Sequence, residues 1–346
     1  MKSILKILIA LLFLSTYLMS ENPNVEELIQ RCEAKNSAAC WYLGTLYNNN
    51  DDGVKQDFNK AFEYYTKACE LNDGMGCTSL GYLYEIGKGV EENYDKAFEY
   101  YIKSCELNDS FGCNNIGYLY KKSKVKAEDN YKKAAEYFDK ACKLNDSEGC
   151  LDAGLIYELG QGEIKRDIDK SIEYFEKACE LNHRFGCLVL GLIYTTNDGV
   201  KQDYEKVVKY FDKSCELSYA EACYNLGWIY KDGIHVKQDN EKMLFYFDKA
   251  CKLNYNDSCS YLGNLYRLGD GVKQDYKKAT ELYTKACEDN DGIACINLGK
   301  LHVDGKGVEM DNYKALEFFE KSCKLKTEDG CKWHEIVKKV LESEQM

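Results

Sequence analysis

Histidine is nearly missing from this chain. The four present, His183, His235, His302 and His334, lie in separate stretches, with no spacing that would bring two onto one metal ion. Cysteine pairs of the C-x-x-C kind are missing too, so neither usual ligand set of a zinc site is available, and no metal and no cofactor are expected. The motifs of serine hydrolases are also lacking: there is no S-D-N, no K-T-G and no G-x-S-x-G. Past the first twenty residues S-x-x-K occurs once, at Ser123–Lys126, in a sequence rich in both residue types. Proline occurs once, as Pro23; with abundant Asn, Lys and Tyr this fits an AT-rich genome. Basic residues are outnumbered, 46 against 58 acidic, for a net charge of −12. That balance argues against nucleic acid, whose binding rests on neutralising phosphates, and against an anionic membrane surface.

The chain opens MKSILKILIALLFLSTYLMS. Lys2 and Lys6 form a basic start, Ile7–Leu14 an apolar core, and Ser20 a small residue before Glu21. This pattern predicts a cleaved secretory leader over residues 1–20. Its uncharged stretch, Ile7–Ser20, is too short for a comfortable transmembrane helix, so no stable membrane insertion is expected. Loss of Lys2 and Lys6 with the leader would take the charge from −12 to −14.

What the chain has is period. All 18 cysteines fall into pairs eight residues apart: Cys32/Cys40, Cys69/Cys77, Cys105/Cys113, Cys142/Cys150, Cys179/Cys187, Cys215/Cys223, Cys251/Cys259, Cys287/Cys295 and Cys323/Cys331. The first member recurs every 36 or 37 residues, and none is left over. In an exported chain an even count at fixed spacing reads as a disulfide framework. A single helix through Cys69 and Cys77 would hold them about 12 Å apart, too far for a bridge. The chain therefore has to turn back between them.

After every second cysteine but the last, Cys331, comes C-x-x-L-G-x-L-Y or a close variant, as in CTSLGYLY (Cys77–Tyr84) and CYNLGWIY (Cys223–Tyr230). The apolar spacing is that of one helix stripe. Glycine recurs at Gly44, Gly81, Gly117, Gly154, Gly191, Gly227, Gly263 and Gly299. Each mid-helix glycine costs about 1 kcal/mol against alanine, and a cost so repeated implies close approach of a neighbouring helix. A loop of the type Gly87-Lys-Gly-Val90 follows, and then a second helix of pattern D-Y-x-K-A-x-E-Y-Y-x-K-A-C. Its N-caps are expected at Asp57, Asn93, Asn130, Asp167, Asp203, Asp239, Asp275 and Asp311. Its paired aromatics, such as Tyr64/Tyr65 and Tyr174/Phe175, are expected as core between stacked helices. The lysine before each Ala/Ser-Cys is expected to run out to solvent. Each bridge then ties the end of one helix pair to the start of the next, contributing about 2.5 kcal/mol by loop entropy. The ends differ. The first unit is truncated to Pro23–Arg31, the Lys121–Asp129 loop has no glycine, and Lys332–Leu341 reads as a capping helix. The expected organisation is a leader 1–20, a repeat array 21–331 and a cap with tail 332–346.

The L-G-x-x-Y helix with a paired second helix is close to the tetratricopeptide pattern. The period, the G-x-G-V loop and D-Y-x-K-A resemble Sel1-like repeats more specifically, and the cysteine pair in each unit resembles the Helicobacter cysteine-rich protein family. The resemblance covers about Glu21–Cys331. It implies an all-α, right-handed α/α superhelical solenoid of antiparallel helix pairs, each clipped by a disulfide. Members are described as penicillin-binding proteins or β-lactamases, and as secreted interaction proteins.

Two functional readings stay open. One is a binding scaffold whose concave groove takes a peptide, a protein or a β-lactam- or peptidoglycan-like ligand. The residues after each second cysteine vary from unit to unit, Thr78/Ser79, Asn114/Asn115, Leu188/Val189, Tyr224/Asn225 and Ile296/Asn297, and are expected on display. Asn115, Asn225, Asn264 and Asn297 are the candidate contacts to a peptide backbone or carboxylate. The other reading is a β-lactam hydrolase, implied by the resemblance alone, with no catalytic residues assigned. The protein is expected to be a monomer, secreted or periplasmic.

Overall fold

The computed structural model describes residues 25–50, 53–196 and 199–344. The leader expected over residues 1–20 lies outside them. Among the described residues every regular element is a helix, and two compact units are separated, Met1–Leu181 and Asn182–Met346. The first holds α1 (Val25–Glu33), α2 (Ser37–Asn49), α3 (Phe58–Glu70), α4 (Gly74–Ile86), α5 (Tyr94–Glu106), α6 (Ser110–Lys121), α7 (Asn130–Lys143), α8 (Ser147–Leu159) and α9 (Ile168–Glu180). The second holds α10 (Arg184–Thr195), α11 (Tyr204–Glu216), α12 (Ala220–Asp232), α13 (Asn240–Lys252), α14 (Asn256–Leu268), α15 (Tyr276–Glu288), α16 (Gly292–Asp304), α17 (Asn312–Lys324) and α18 (Glu328–Glu344). Even-numbered helices are the first of each pair and odd-numbered helices the second. Within each unit a helix packs most extensively on its partner across the loop, and next on the helix across the bridge, the stacking of an α-solenoid. None of these helices is long and apolar enough to cross a membrane.

The reversal between pairs takes three residues. In α3 the last turn ends at Glu70, Leu71 caps it, and Asn72 takes the left-handed conformation at φ 60°. Asn72 N–H donates to Cys69 O at 3.1 Å and Asp73 N–H to Ala68 O at 3.0 Å, closing the C-terminal carbonyls. Asp73 then caps α4, its carboxylate accepting from Gly76 N–H at 2.9 Å. Asn108, Asn145, Asn182, Asn254 and Asn290 occupy the same left-handed position, which asparagine tolerates better than other side chains.

The turn brings Cys69 and Cys77 to a Cα separation of 4.5 Å, and they are bonded. The same bond joins Cys32 to Cys40, Cys105 to Cys113, Cys142 to Cys150 and Cys215 to Cys223. It also joins Cys251 to Cys259, Cys287 to Cys295 and Cys323 to Cys331. Cys179 and Cys187 take part in disulfides as well, and no described cysteine is free. These sulfurs do not form an accessible site. Cys40, Cys113, Cys150, Cys259 and Cys295 are completely buried, as are Cys77, Cys187 and Cys223. The reason is their place near the start of a first helix, where that helix presses on the end of the preceding second helix. They are core side chains that hold the turn, and none of them is presented to a ligand. The bridge at the C-terminal end, Cys323–Cys331, is half-buried.

The repeated glycine faces a ring. A Cβ on Gly81 would stand 2.8 Å from Tyr101, on Gly154 2.6 Å from Phe175, and on Gly263 2.7 Å from Tyr283. These rings, the second of each aromatic pair, are fully buried. The first of each pair stacks instead on the tyrosine that ends the first helix: Tyr84 on Tyr100 at 5.6 Å between centroids, Tyr157 on Tyr174 at 5.8 Å. A lysine from the first turn of the second helix covers the outer face, Lys96 over Tyr84 and Lys170 over Tyr157.

Two local expectations need correction. Asn130 is not a cap. Asp129 stands at that position, without a side-chain bond to the helix, and Asn130 is the first helical residue. Its amide holds the glycine-free loop together, accepting from Ala127 N–H at 3.1 Å and donating to Ser123 Oγ at 3.0 Å. Nor do all the lysines before Ala/Ser-Cys end in water: Lys103 Nζ donates to Cys69 O and Lys285 Nζ to Cys251 O, both at 2.7 Å. Each thereby neutralises the carbonyl end of the preceding second helix.

At the C-terminus α18 begins before Cys331 and buries Val337 and Leu341 against Ile296 and Phe319.

Candidate ligand-binding face

Each first helix packs one flank on its partner and leaves another with the first helices beside it. In the unit Met1–Leu181 the pairs α2/α4, α4/α6 and α6/α8 touch directly. At Asp152 in this unit, and at Tyr261 in the other, the residue two past the second cysteine meets those five and eight past it on the preceding first helix. Tyr118 and Lys121 of α6 both reach Asp152 of α8, Lys121 Nζ at 2.8 Å from Oδ1. Asp152 is only 3 % exposed, so this ion pair closes the surface. Burial, with the Asp152 carboxylate beside it, pushes the Tyr118 hydroxyl well above the ordinary tyrosine range, and it stays a donor. Earlier in the same unit Trp41 Nε1 donates to Ser79 Oγ at 3.2 Å, and Tyr101 OH to Glu85 at 2.7 Å. Asn115 sits half-buried on this flank with no hydrogen bond of its own.

In the unit Asn182–Met346 the same flank is aromatic and cationic. Trp228 of α12 packs on Tyr261 of α14 at 4.5 Å between centroids, and Lys231 Nζ lies 4.7 Å from the Tyr261 ring. Arg267 Nε donates to Tyr283 OH at 3.3 Å, and Tyr283 OH donates to Asn264 Oδ1 at 2.8 Å. Lys300 of α16 lies 5.0 Å over Trp333 of α18. Between Arg267, Asn297, Lys300, Lys306, Asp304 and Tyr276 is a cavity of about 190 Å³.

The candidate asparagines therefore divide. Asn264 and Asn297 belong to this flank in one unit; Asn264 gives its carbonyl to Tyr283, while the Asn297 amide has no partner. Asn225 is half-buried on α12 without a hydrogen bond. The display expected directly after the second cysteine fails at four of the ten positions named. Leu188, Val189, Ile296 and Asn114 are buried, because first-helix packing covers that side. Thr78 is occupied too, bonded to Ser104 and Asp109. Residues missed by sequence reasoning are Trp228, Lys231, Tyr261, Arg267 and Lys300. The signal was present: Lys231 and Arg267 hold one register, each eight past a second cysteine.

Elsewhere little suggests chemistry. Ser123 is exposed in its loop, and its hydroxyl accepts from Asn130 rather than bonding Lys126. His183 caps α10, His235 stacks on Tyr204 and His302 on Phe318. Among the described residues no group of three His, Cys, Asp or Glu side chains is placed to hold a metal ion.

Comparison with known proteins agrees with the fold. The family described as Sel1 repeat matches residues 37–73, 74–109, 110–146, 147–183, 185–219, 220–255, 256–291 and 292–326. A Sel1 repeat protein from Oxalobacter formigenes has a similar structure, with TM-score 0.68 at 21 % identity over 90 % of both chains. β-Lactamase HcpA of Helicobacter pylori is 57 % identical over 35 residues, 10 % of this chain and 14 % of that protein. Cytochrome c oxidase assembly factor 7A of Xenopus laevis is 33 % identical over 58 residues, 17 % of this chain and 25 % of that protein. The matched segments thus span no more than about a quarter of these curated relatives.

Proposed function

The chain belongs to the Sel1 repeat family, and from that premise we propose that it is an exported binding scaffold that holds a peptide or protein segment on the first-helix flank. One observation carries this reading: over a core built on the same two contacts, Gly on ring and disulfide on turn, the first-helix flank changes from unit to unit. Asp152 with Tyr118 and Lys121 fills it in one place, Trp228 with Tyr261 and Lys231 in another. A constant frame under a variable surface is how a repeat array encodes one ligand. The disulfides fit an oxidising compartment, and the leader pattern over 1–20 supports passage into the periplasm or beyond.

The name of HcpA favours a second reading, β-lactam binding with slow hydrolysis. The one S-x-x-K pair past the first twenty residues does not support it: Ser123 and Lys126 are both exposed and share no hydrogen bond. The experiment is to incubate oxidised, purified protein with a chromogenic cephalosporin and, separately, to titrate it with labelled peptides. Saturable peptide binding without turnover is the expected result. Turnover that co-purifies with the folded protein and disappears in a variant of the Arg267–Lys300 cavity would overturn the scaffold reading.

A further inference from the structure

The position eight past each second cysteine changes character between the two units. In Met1–Leu181 it holds Asn48, Glu85, Lys121 and Glu158, and Lys121 is neutralised by Asp152. In Asn182–Met346 it holds Thr195, Lys231, Arg267, Val303 and Lys339, with Lys300 one helical turn before Val303. Lys231 has Asp270 at 3.7 Å, and Lys306 has Asp304 at 3.0 Å. Among the described residues Arg267 and Lys300 have no such partner. Arg267 gives one N–H to Tyr283 and Lys300 lies over Trp333; neither forms an ion pair, although the chain carries 58 acidic residues. Both line the same cavity as the unbonded amide of Asn297.

We infer, on the footing of the binding-scaffold reading, that this flank of the unit Asn182–Met346 takes an acidic peptide segment. Its carboxylates sit between Arg267 and Lys300, and an apolar or aromatic side chain lies on the Trp228–Tyr261 pair. The chemistry selects this occupant. A guanidinium offers a planar fork that matches a carboxylate. A half-buried Trp or Tyr gives a rigid apolar contact at little entropic loss. Asn297 supplies a donor and an acceptor to the peptide backbone between them. With a net charge of −12 the molecule as a whole opposes acidic ligands, so the attraction is local to cations such as these and weakens with salt. Asp304 lines the same cavity but is paired with Lys306 at 3.0 Å, and Asp270 with Lys231 at 3.7 Å, so each of these carboxylates already has a cation of its own.

The test is fluorescence anisotropy on the oxidised, full-length protein. Three labelled peptides of one length are used: one rich in Asp and Glu with interspersed Phe, its Asn/Gln counterpart, and its Lys/Arg counterpart. The acidic peptide is expected to bind at least about tenfold more tightly than the amide peptide. That preference should vanish in Arg267→Glu/Lys300→Glu and in the milder Lys300→Glu, both checked for an unchanged melt, and survive in Lys122→Glu. Equal binding of acidic and amide peptides, or a preference that survives the reversals, overturns the inference and leaves the scaffold reading standing. Displacement of the peptide by free glutamate at the same concentration also overturns it, in favour of a small-anion site. Binding of none of the three peptides overturns the scaffold reading itself.

Discussion

At the residue scale the architecture rests on one close contact, glycine against an aromatic ring. In α4 Gly81 meets both the Tyr101 ring and the Ala97 carbonyl of α5, and the ring is completely buried. A methyl group there has nowhere to go, so Gly81→Ala should destabilise by about 1–3 kcal/mol despite alanine's better helix propensity. Thermal and urea melts would check this, and a neutral or stabilising result would show that the helices are farther apart. The unit that departs from the tyrosine rule is equally informative. His302 stands where the other first helices carry Tyr; it is buried, its Nδ1 has no hydrogen-bond partner, and it stacks on Phe318 at 5.5 Å. Burial holds its imidazole below the ordinary histidine range, and Lys314 adds to this. A depressed pKa means that stability is present above the unfolded value, about 6.5, and is lost as pH falls below it. His302→Tyr should therefore reduce the loss of melting temperature between about pH 7 and pH 5. Parallel melts of both proteins across that window would show it, and identical curves would count against a buried neutral His302.

At the scale of elements, the turn between pairs is held by three devices of different origin: a left-handed Asn, an Asp cap and a disulfide. The first two are local and the third is covalent, so they can be separated. Removing an internal bridge, as in Cys105→Ala/Cys113→Ala, should cost about 2.5 kcal/mol and lower the midpoint of the cooperative transition. Removing the end bridge, Cys323→Ala/Cys331→Ala, should loosen α18 while the rest of the array melts almost as before, because repeats couple mainly to their neighbours. Hydrogen exchange resolved by segment would distinguish the two; equal, global effects would contradict nearest-neighbour coupling. Small residues help at the same place. Ser104, Ser214 and Ser322 precede a first cysteine and are fully buried, and their hydroxyls donate to Gly74 O, Arg184 O and Gly292 O. An Ala/Ser choice that looks neutral in sequence is thus a buried hydrogen bond in three of the units.

At the scale of the molecule, period and pairing were legible because every repeat restates them in local chemistry. Nine equal cysteine gaps, a glycine at one offset and a cap twelve residues before the next cysteine all lie within one unit. What was not legible depends on contacts about one period apart. Whether Leu188, Val189 and Ile296 face outward is decided by which neighbouring helix covers them, and no spacing inside one unit reports that. The lysine bond from Lys103 to Cys69 O spans 34 residues, and Asn130 was drawn from its cap by a loop that lacks glycine. The depth of the sulfurs is of the same kind: spacing pairs Cys40 with Cys32 and Cys150 with Cys142, but only helix packing seals Cys40 and Cys150 from solvent. The candidate site was legible in part: Asn264 and Asn297 lie on the flank described, but the cations and rings around them emerge only when first helices are set side by side. All of this depends on sulfur chemistry, and the most direct measurement is non-reducing peptide mapping by mass spectrometry after thiol alkylation under denaturing conditions. The account predicts no alkylated cysteine and cross-links only between cysteines eight residues apart. Alkylated thiols, or links between different turns, would contradict it.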